Sequence, residues 1–464
     1  MQHVIVIGSG IGGLEVGCLL AQQGYAVTVL EQNIRPGGCL QSFVRNGLHF
    51  ETGCHFVGGL KRWTPIWKLF RQLGLNHLSW KSVKEHEIYI GDNCYHLPCG
   101  ARQAQAYLTK CFPHQKEAIK TYMQTLRTIA HCPLDQTTPY WQQNAWEWLS
   151  QTITDERLRD VLSAMSIIID MDRQRLPLFE YAEVMYGFIT STKRVQGGGE
   201  EIITHLCQRL KRYNGELRCG CEVSRIIDAN GRVTGVELTN GERIEADIVI
   251  SDIQPAATMR LLDDNSSMRP VYKRRITNLP SMPGCFTVNI QLREPLRTDR
   301  RQGPIYVHRA GTTIWNDTDK RVNHILIYTY PNQSAIDILT PMDWQEVEAW
   351  CEHPMGQRGD EYDQLKKKKA KQCIDLALTA IPELQEQIVQ TWSSTPLTWQ
   401  HYLRSEKGSA YGTYKDCRSI ATTLITPRTP LEGLYLTGQS LVLHGIVGTT
   451  MSAGFTINQL AISN

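Results

Sequence analysis

Residues 8–13 read Gly-Ser-Gly-Ile-Gly-Gly, the spacing G-x-G-x-x-G, and their flanks restrict the folds open to this chain. Residues 3–7 are a short apolar, β-branched run of the buried-strand kind, residues 11–23 carry helical spacing, and residues 26–30 give a second apolar strand. This is β-α-β within about thirty residues, the unit of a parallel doubly wound sheet. Gly8 permits the tight turn out of the strand, Gly10 lets a pyrophosphate approach the backbone, and Gly13 lets the helix pack on the sheet. The helix start offers free N–H groups and its positive dipole end to phosphates. Glu31 ends the second strand 18 residues beyond Gly13, where a carboxylate accepts the hydroxyls of an adenosine ribose.

A fingerprint of this kind serves both NAD and FAD, and three further segments favour FAD. Arg35-Pro36-Gly37-Gly38 follows Glu31 almost at once, a second glycine pair suited to backbone passing under a long cofactor, with Arg35 available to the pyrophosphate. Phe50-Glu51-Thr52-Gly53 is another close-approach segment. Near the end of the sequence, residues 433–439 give a strand closing on Gly438-Gln439, followed by Gly445-Ile446-Val447-Gly448 opening a helix. The cofactor-binding set expected from these segments is Gly8, Gly10, Ile11, Gly12, Gly13, Glu31, Gln32, Arg35, Gly37, Gly38, Gly438, Gln439 and Gly448. No second G-x-G-x-x-G occurs; Gly197-Gly198-Gly199 lacks a preceding strand in this reading, so NAD(P)H enters only as a transient reductant, with the electron partner open.

The stretch VIVIGSGIGGLEVGCLLAQQGYAVTVLEQNIRPGGCLQSF, FETGCHF after it, and the closing LYLTGQSLVLHGIVGTTMSAG resemble the family of phytoene desaturases, carotenoid isomerases and retinol saturases. The resemblance is specific over about the first sixty and last seventy residues and diffuse between them. It implies an α/β fold: a Rossmann-like FAD-binding domain, of the kind seen in amine-oxidase-like flavoproteins, from 1–75, 195–260 and 405–464. It also implies a discontinuous mixed α+β substrate domain from 76–194 and 265–400. Val223 falls where the family meets the adenine through backbone atoms. Two departures stand out: Gln439 where many such flavoproteins place an acid, and Cys39 where a basic residue is common.

The function expected from the resemblance is FAD-dependent oxidation or reduction at a carbon–carbon double bond of a polyene or isoprenoid: saturation, desaturation or redox-neutral isomerisation. The flavin would carry the electrons while apolar walls hold the substrate. His444, in the closing loop, is the candidate proton donor; His55 lies in a second cofactor-proximal motif beside Cys54. A flavin amine oxidase is the alternative, opposed by the lack of an aromatic in Leu441-Val442-Leu443-His444; a non-catalytic flavin-holding escort protein is a third reading.

Composition narrows the partners. Lys and Arg total 49 against 46 Asp and Glu, a net charge of +3, which leaves no general nucleic-acid footprint. The 14 cysteines include no C-x-x-C pair, and no metal-ligand spacing appears. The sequence shows no signal-peptide pattern, and residues 441–462 read as a buried loop and helix rather than a membrane span, so a cytoplasmic protein is expected. Residues 61–73 admit two readings. Trp63, Ile66, Trp67, Phe70 and Leu73 with Lys61, Arg62, Lys68 and Arg71 suit either a peripheral membrane contact or a helix packed on the flavin domain with a solvated basic face. The lysine run 366–369 reads as one solvated helix face.

Overall fold

The fingerprint is the turn between the strand His3–Ile7 and the helix Ile11–Gln22 in a computed structural model that describes residues 1–62, 64–132, 138–296, 303–317, 319–330 and 333–463. His3–Ile7 is the middle strand of a five-stranded parallel sheet ordered Leu434–Leu436, Ile248–Ser251, His3–Ile7, Ala26–Glu31, Glu216–Cys219. Val4 pairs with Val27 on one side and Ile248 on the other. The inner strands His3–Ile7 and Ile248–Ser251 are buried along almost their whole length because the sheet is covered on both faces, while the edge strand Glu216–Cys219 is partly exposed. On one face Thr450 Oγ1, in the helix Gly445–Ser463, donates to the buried Glu15 Oε1 at 2.7 Å and ties the C-terminal helix to the fingerprint helix.

The second half is mixed. A seven-stranded sheet runs Ile388–Ser394, Gly284–Leu292, Ala335–Met342, His324–Thr329, Ile305–His308, Glu85–Ile90, Asn93–Pro98. It is antiparallel except where Ile305–His308 runs beside Glu85–Ile90. The helix Gly359–Ala377 packs on this sheet, and a helical layer that includes Lys116–Ile129 and Leu178–Ser191 completes the half. The fold is therefore α/β, a Rossmann-like sheet joined to a mixed α+β half.

Several local expectations are corrected. Residues 245–250, read from sequence as one strand, divide between Arg243–Glu245, in a three-stranded meander, and Ile248–Ser251, in the parallel sheet. The run serves two sheets, so its apolar pattern does not mark a single strand. A strand does precede Gly197-Gly198-Gly199: Lys193–Val195 leads into the helix Gly198–Arg212. It pairs antiparallel with Trp80–Ser82 and lies outside the parallel sheet, so it builds no second dinucleotide crevice. Lys369 is not solvated; it is buried, and its Nζ bonds both oxygens of Glu346 at 2.8 and 2.6 Å.

In the helix Pro65–Gln72 and the residue after it, Phe70 and Leu73 are buried in the flanking core, Ile66 is buried beside a cavity, Trp67 is half-buried, and Lys68 and Arg71 are exposed. Trp63 lies outside the described residues. No helix among the described residues is long and apolar enough to cross a membrane.

Candidate active site

Both halves open onto one cavity of about 1180 Å³. At one end stands the fingerprint. Gly8 N–H donates to Leu30 O at 2.8 Å, locking the turn to the neighbouring strand, and Leu14 N–H donates to Gly10 O at 3.0 Å, the first helical bond. A Cβ at Gly10 would lie 2.6 Å from Asp252 Oδ2, and one at Gly12 2.4 Å from Asp252 Oδ1, so the cradle is closed to side chains. Glu31 is buried at the end of its strand; Oε2 accepts from Ser9 N–H at 3.1 Å and Ser9 Oγ at 2.5 Å, and Oε1 from Asn33 N–H at 2.9 Å. These bonds aim the carboxylate along the cavity wall.

Of the residues singled out from sequence, Gly8, Gly10, Ile11, Gly12, Glu31, Gln32, Gly38, Val223, Gln439, His444 and Gly448 line this one cavity, though they span the length of the chain. Gly13, Gly37 and Gly438 stand just behind it. A Cβ at Gly13 would meet Gly8 O at 2.2 Å, Gly37 N–H donates to Ser9 O at 3.0 Å, and a Cβ at Gly438 would lie 2.8 Å from Asp252 Oδ1. Arg35 is the exception: it turns outward, half-exposed, and its Nη2 pairs with Glu200 Oε1 at 2.6 Å. Glu200, in the first turn of the helix Gly198–Arg212, captures the guanidinium that the sequence reading assigned to a pyrophosphate.

His444 makes no hydrogen bond to another described residue and packs against Tyr411, ring centroids 4.9 Å apart. Burial, with the nearby Lys415 charge, pushes its imidazole down to about 4, so it is neutral near pH 7. A neutral imidazole is a poor acid, which weakens the expected donor role.

Sequence reasoning singled out His55 but missed its partners, and it missed Asp252 and Glu183 altogether. Asp252, just after the strand Ile248–Ser251, sits among the fingerprint glycines; burial, with Glu31 adding to it, pushes its carboxyl up to about 7 against a bond from Gly13 N–H. Its only sequence signal is an acid directly after an apolar strand. His55 is buried with Nε2 3.1 Å from Asp337 Oδ2, and Asn289 Nδ2 donates to Asp337 Oδ1 at 2.6 Å while Tyr330 OH also donates to Asp337. His55 stacks on Tyr328 at 3.8 Å between centroids and 12° between planes, and both rings line the cavity. Burial lowers the His55 pKa against the opposing pull of Asp337, and it raises that of Tyr328. The Tyr328 phenol makes no hydrogen bond to another described residue, and with its pKa raised by burial it stands protonated at the cavity wall. Glu183 lies on the helix Leu178–Ser191.

The arrangement fits a flavin dinucleotide. A glycine cradle at a helix N-terminus, edged by the Asp252 carboxyl, suits a diphosphate, a strand-end carboxylate suits a ribose, and the remaining cavity continues past them between aromatic and aliphatic walls. The family profile of flavin containing amine oxidoreductases matches residues 11–457. All-trans-retinol 13,14-reductase of Rattus norvegicus is 25% identical, the match covering 97% of this chain and 84% of that protein. Prolycopene isomerase of Daucus carota is 24% identical over 98% of this chain and 79% of its own. The crystal structure of an oxidoreductase from Methanosarcina mazei superposes with a TM-score of 0.69 at 17% identity, over 98% of this chain and all (100%) of that one. With the family profile matched across nearly the whole sequence and the fold shared, the chain belongs to the flavin containing amine oxidoreductases.

Proposed function

We propose that this flavin-dependent oxidoreductase acts on a carbon–carbon double bond of an apolar polyene of the retinoid or carotenoid kind, with reduction the favoured direction. The observation that carries the reading is the single cavity in which the fingerprint and an apolar, aromatic wall are continuous. Such a wall suits a hydrocarbon chain, which offers few polar handles. The retinol reductase and the carotenoid isomerase among the relatives point to the same substrate class.

In this reading Gly10, Gly12 and the start of the helix Ile11–Gln22 hold the diphosphate, Glu31 the ribose and Val223 the adenine. Gln439 and Gly448 close over the remainder. The flavin, when bound, supplies or takes up the electron pair. The apolar walls orient the polyene and exclude water. Tyr328 and the His55 stacked on it, held by its bond to Asp337, form a rigid aromatic wall against which the polyene lies. Electrons arrive from a transient donor, of which reduced nicotinamide is one class.

The test is anaerobic mixing of the dithionite-reduced enzyme with retinol and carotenoids, with spectra and product masses recorded. Loss of conjugation with a gain of two hydrogens is expected. A spectral shift without mass change would redirect the assignment to isomerisation, and inertness towards all polyenes would overturn it. One observation favours a second reading: Tyr328 and Tyr411 both line the cavity, so aromatic rings are present despite their lack in residues 441–444. Turnover of primary amines with release of peroxide would establish an amine oxidase instead.

A further inference from the structure

One face of the helix Leu178–Ser191 forms part of the cavity wall, with Glu183, Tyr186, Gly187 and Thr190 spaced by three, four and seven residues from the first. Three of these have evident tasks. Thr190 Oγ1 donates to Tyr186 O at 2.6 Å, Gly187 O accepts from Gly59 N–H at 3.1 Å, and Tyr186 carries Lys61 Nζ over its ring at 4.6 Å. Glu183 has none. Its carboxyl forms no hydrogen bond or ion pair with another described residue, and the same cavity is lined by Ile168, Val184, Phe188 and Phe455. Glu183 is half-buried with its carboxyl open to the cavity, so a group bound there is the partner available to it. Burial alone pushes it up to about 8, so near pH 7 it is mainly a neutral acid, able both to donate and to accept.

We propose that Glu183 anchors a hydroxyl group at the end of the apolar substrate, making the cavity selective for a polyene alcohol over the matching hydrocarbon. An alcohol offers one donor and one acceptor, complementary to a neutral carboxyl, and brings no charge into the apolar wall. An ammonium would have to carry its charge past Lys61 and Arg62, cations that line the same cavity. This inference rests on the polyene reading above.

The test uses the flavin-loaded enzyme as wild type, Glu183→Gln and Glu183→Leu, with flavin content confirming the fold of each. Binding of all-trans-retinol and of deoxyretinol, the hydrocarbon lacking its hydroxyl, is read by quenching of tryptophan fluorescence. Wild type should prefer the alcohol by about tenfold, the worth of one good hydrogen bond. Glu183→Gln, which still donates and accepts, should keep most of that preference, and Glu183→Leu should abolish it by weakening retinol alone. Equal binding of both probes by wild type, or an unchanged preference in Glu183→Leu, overturns the anchor and leaves the polyene reading standing. Binding of neither probe by wild type overturns both. Tight binding of decylamine that is lost in Glu183→Gln replaces the hydroxyl with an ammonium and overturns the anchor as stated.

Discussion

A Cβ at Gly10 or Gly12 would meet the Asp252 carboxyl at 2.6 or 2.4 Å, and at Gly12 also Thr449 Cγ2 at 2.9 Å, so any side chain there must displace Asp252 from the cradle. Gly10→Val should therefore purify without flavin, measured as flavin absorbance per mole of protein, while the sheet beneath it survives; full flavin content would remove the fingerprint from the site. Asp252 gives a second prediction at the same scale. Its carboxyl is neutral below about pH 7 and anionic above, and it faces the glycines assigned to the diphosphate. Ionisation adds a like charge, so FAD affinity should fall as pH rises through 7, by at most about tenfold per pH unit. Asp252→Asn should flatten that dependence, and a pH-independent affinity in the wild type would refute the placement. The glycines and Glu31 were legible in the sequence because each answers a local steric or hydrogen-bonding demand. Asp252 was not, since its role depends on a strand more than 200 residues away in sequence meeting the fingerprint. Arg35 was misread for the converse reason: its partner Glu200 arrives on a helix that the local sequence does not show.

Among the elements, the helix Leu178–Ser191 is fixed where Gly187 meets the Gly58-Gly59 segment: a Cβ at Gly187 would lie 3.1 Å from Gly59 N and 3.3 Å from Gly58 C. Both contacts are backbone, which cannot rotate away as a side chain would. Gly187→Leu should push the helix off that segment at a cost of about 1–3 kcal/mol, seen as a lower thermal midpoint with the flavin fingerprint chemically intact. An unchanged midpoint would mean that the two segments separate freely. Elements whose signals are short-ranged were readable: Asn230-Gly231 turns Val223–Ala229 into Arg232–Leu238 with φ of 52° and 83°, the doubly positive geometry of a tight hairpin. Elements defined by their partners were not. The run 245–250 has one hydrophobic pattern but serves two sheets, and Lys369 sits in a lysine run whose other members give no hint that Glu346 draws it inside.

For the whole molecule, burial in and around the cavity and elsewhere in the core shifts carboxyls and imidazoles in directions with opposite consequences for stability. Burial raises Glu51 and Asp252 to about 7, Asp170 to about 6 and Glu183 to about 8. A raised carboxyl binds more protons folded than unfolded, so its favourable contribution is complete below the ordinary carboxylate range and is lost as pH rises through the folded value. The buried histidines run the other way. His86 and His444 are lowered to about 4, and His55 and His308 are lowered as well, so the unfolded chain binds more protons below the ordinary histidine value. Their contribution grows as pH rises towards about 6.5 and is flat beyond it. Above pH 6.5 the raised carboxyls still titrate, Glu180 among them at about 8, and each lowers stability by at most about 1.4 kcal/mol per pH unit before solvent screening; Lys415, lowered to about 8 by burial, opposes them as a single group. The carboxyls outnumber it, so the thermal midpoint of the flavin-free protein should fall between pH 6.5 and 8, and Glu183→Gln should shallow that fall by removing one of the two carboxyls raised to about 8. A midpoint that stays level or climbs over the same interval would show that these carboxyls are already ionised in the folded state, and with that the neutral anchor at Glu183 and the pH-dependent cradle at Asp252 would both be lost.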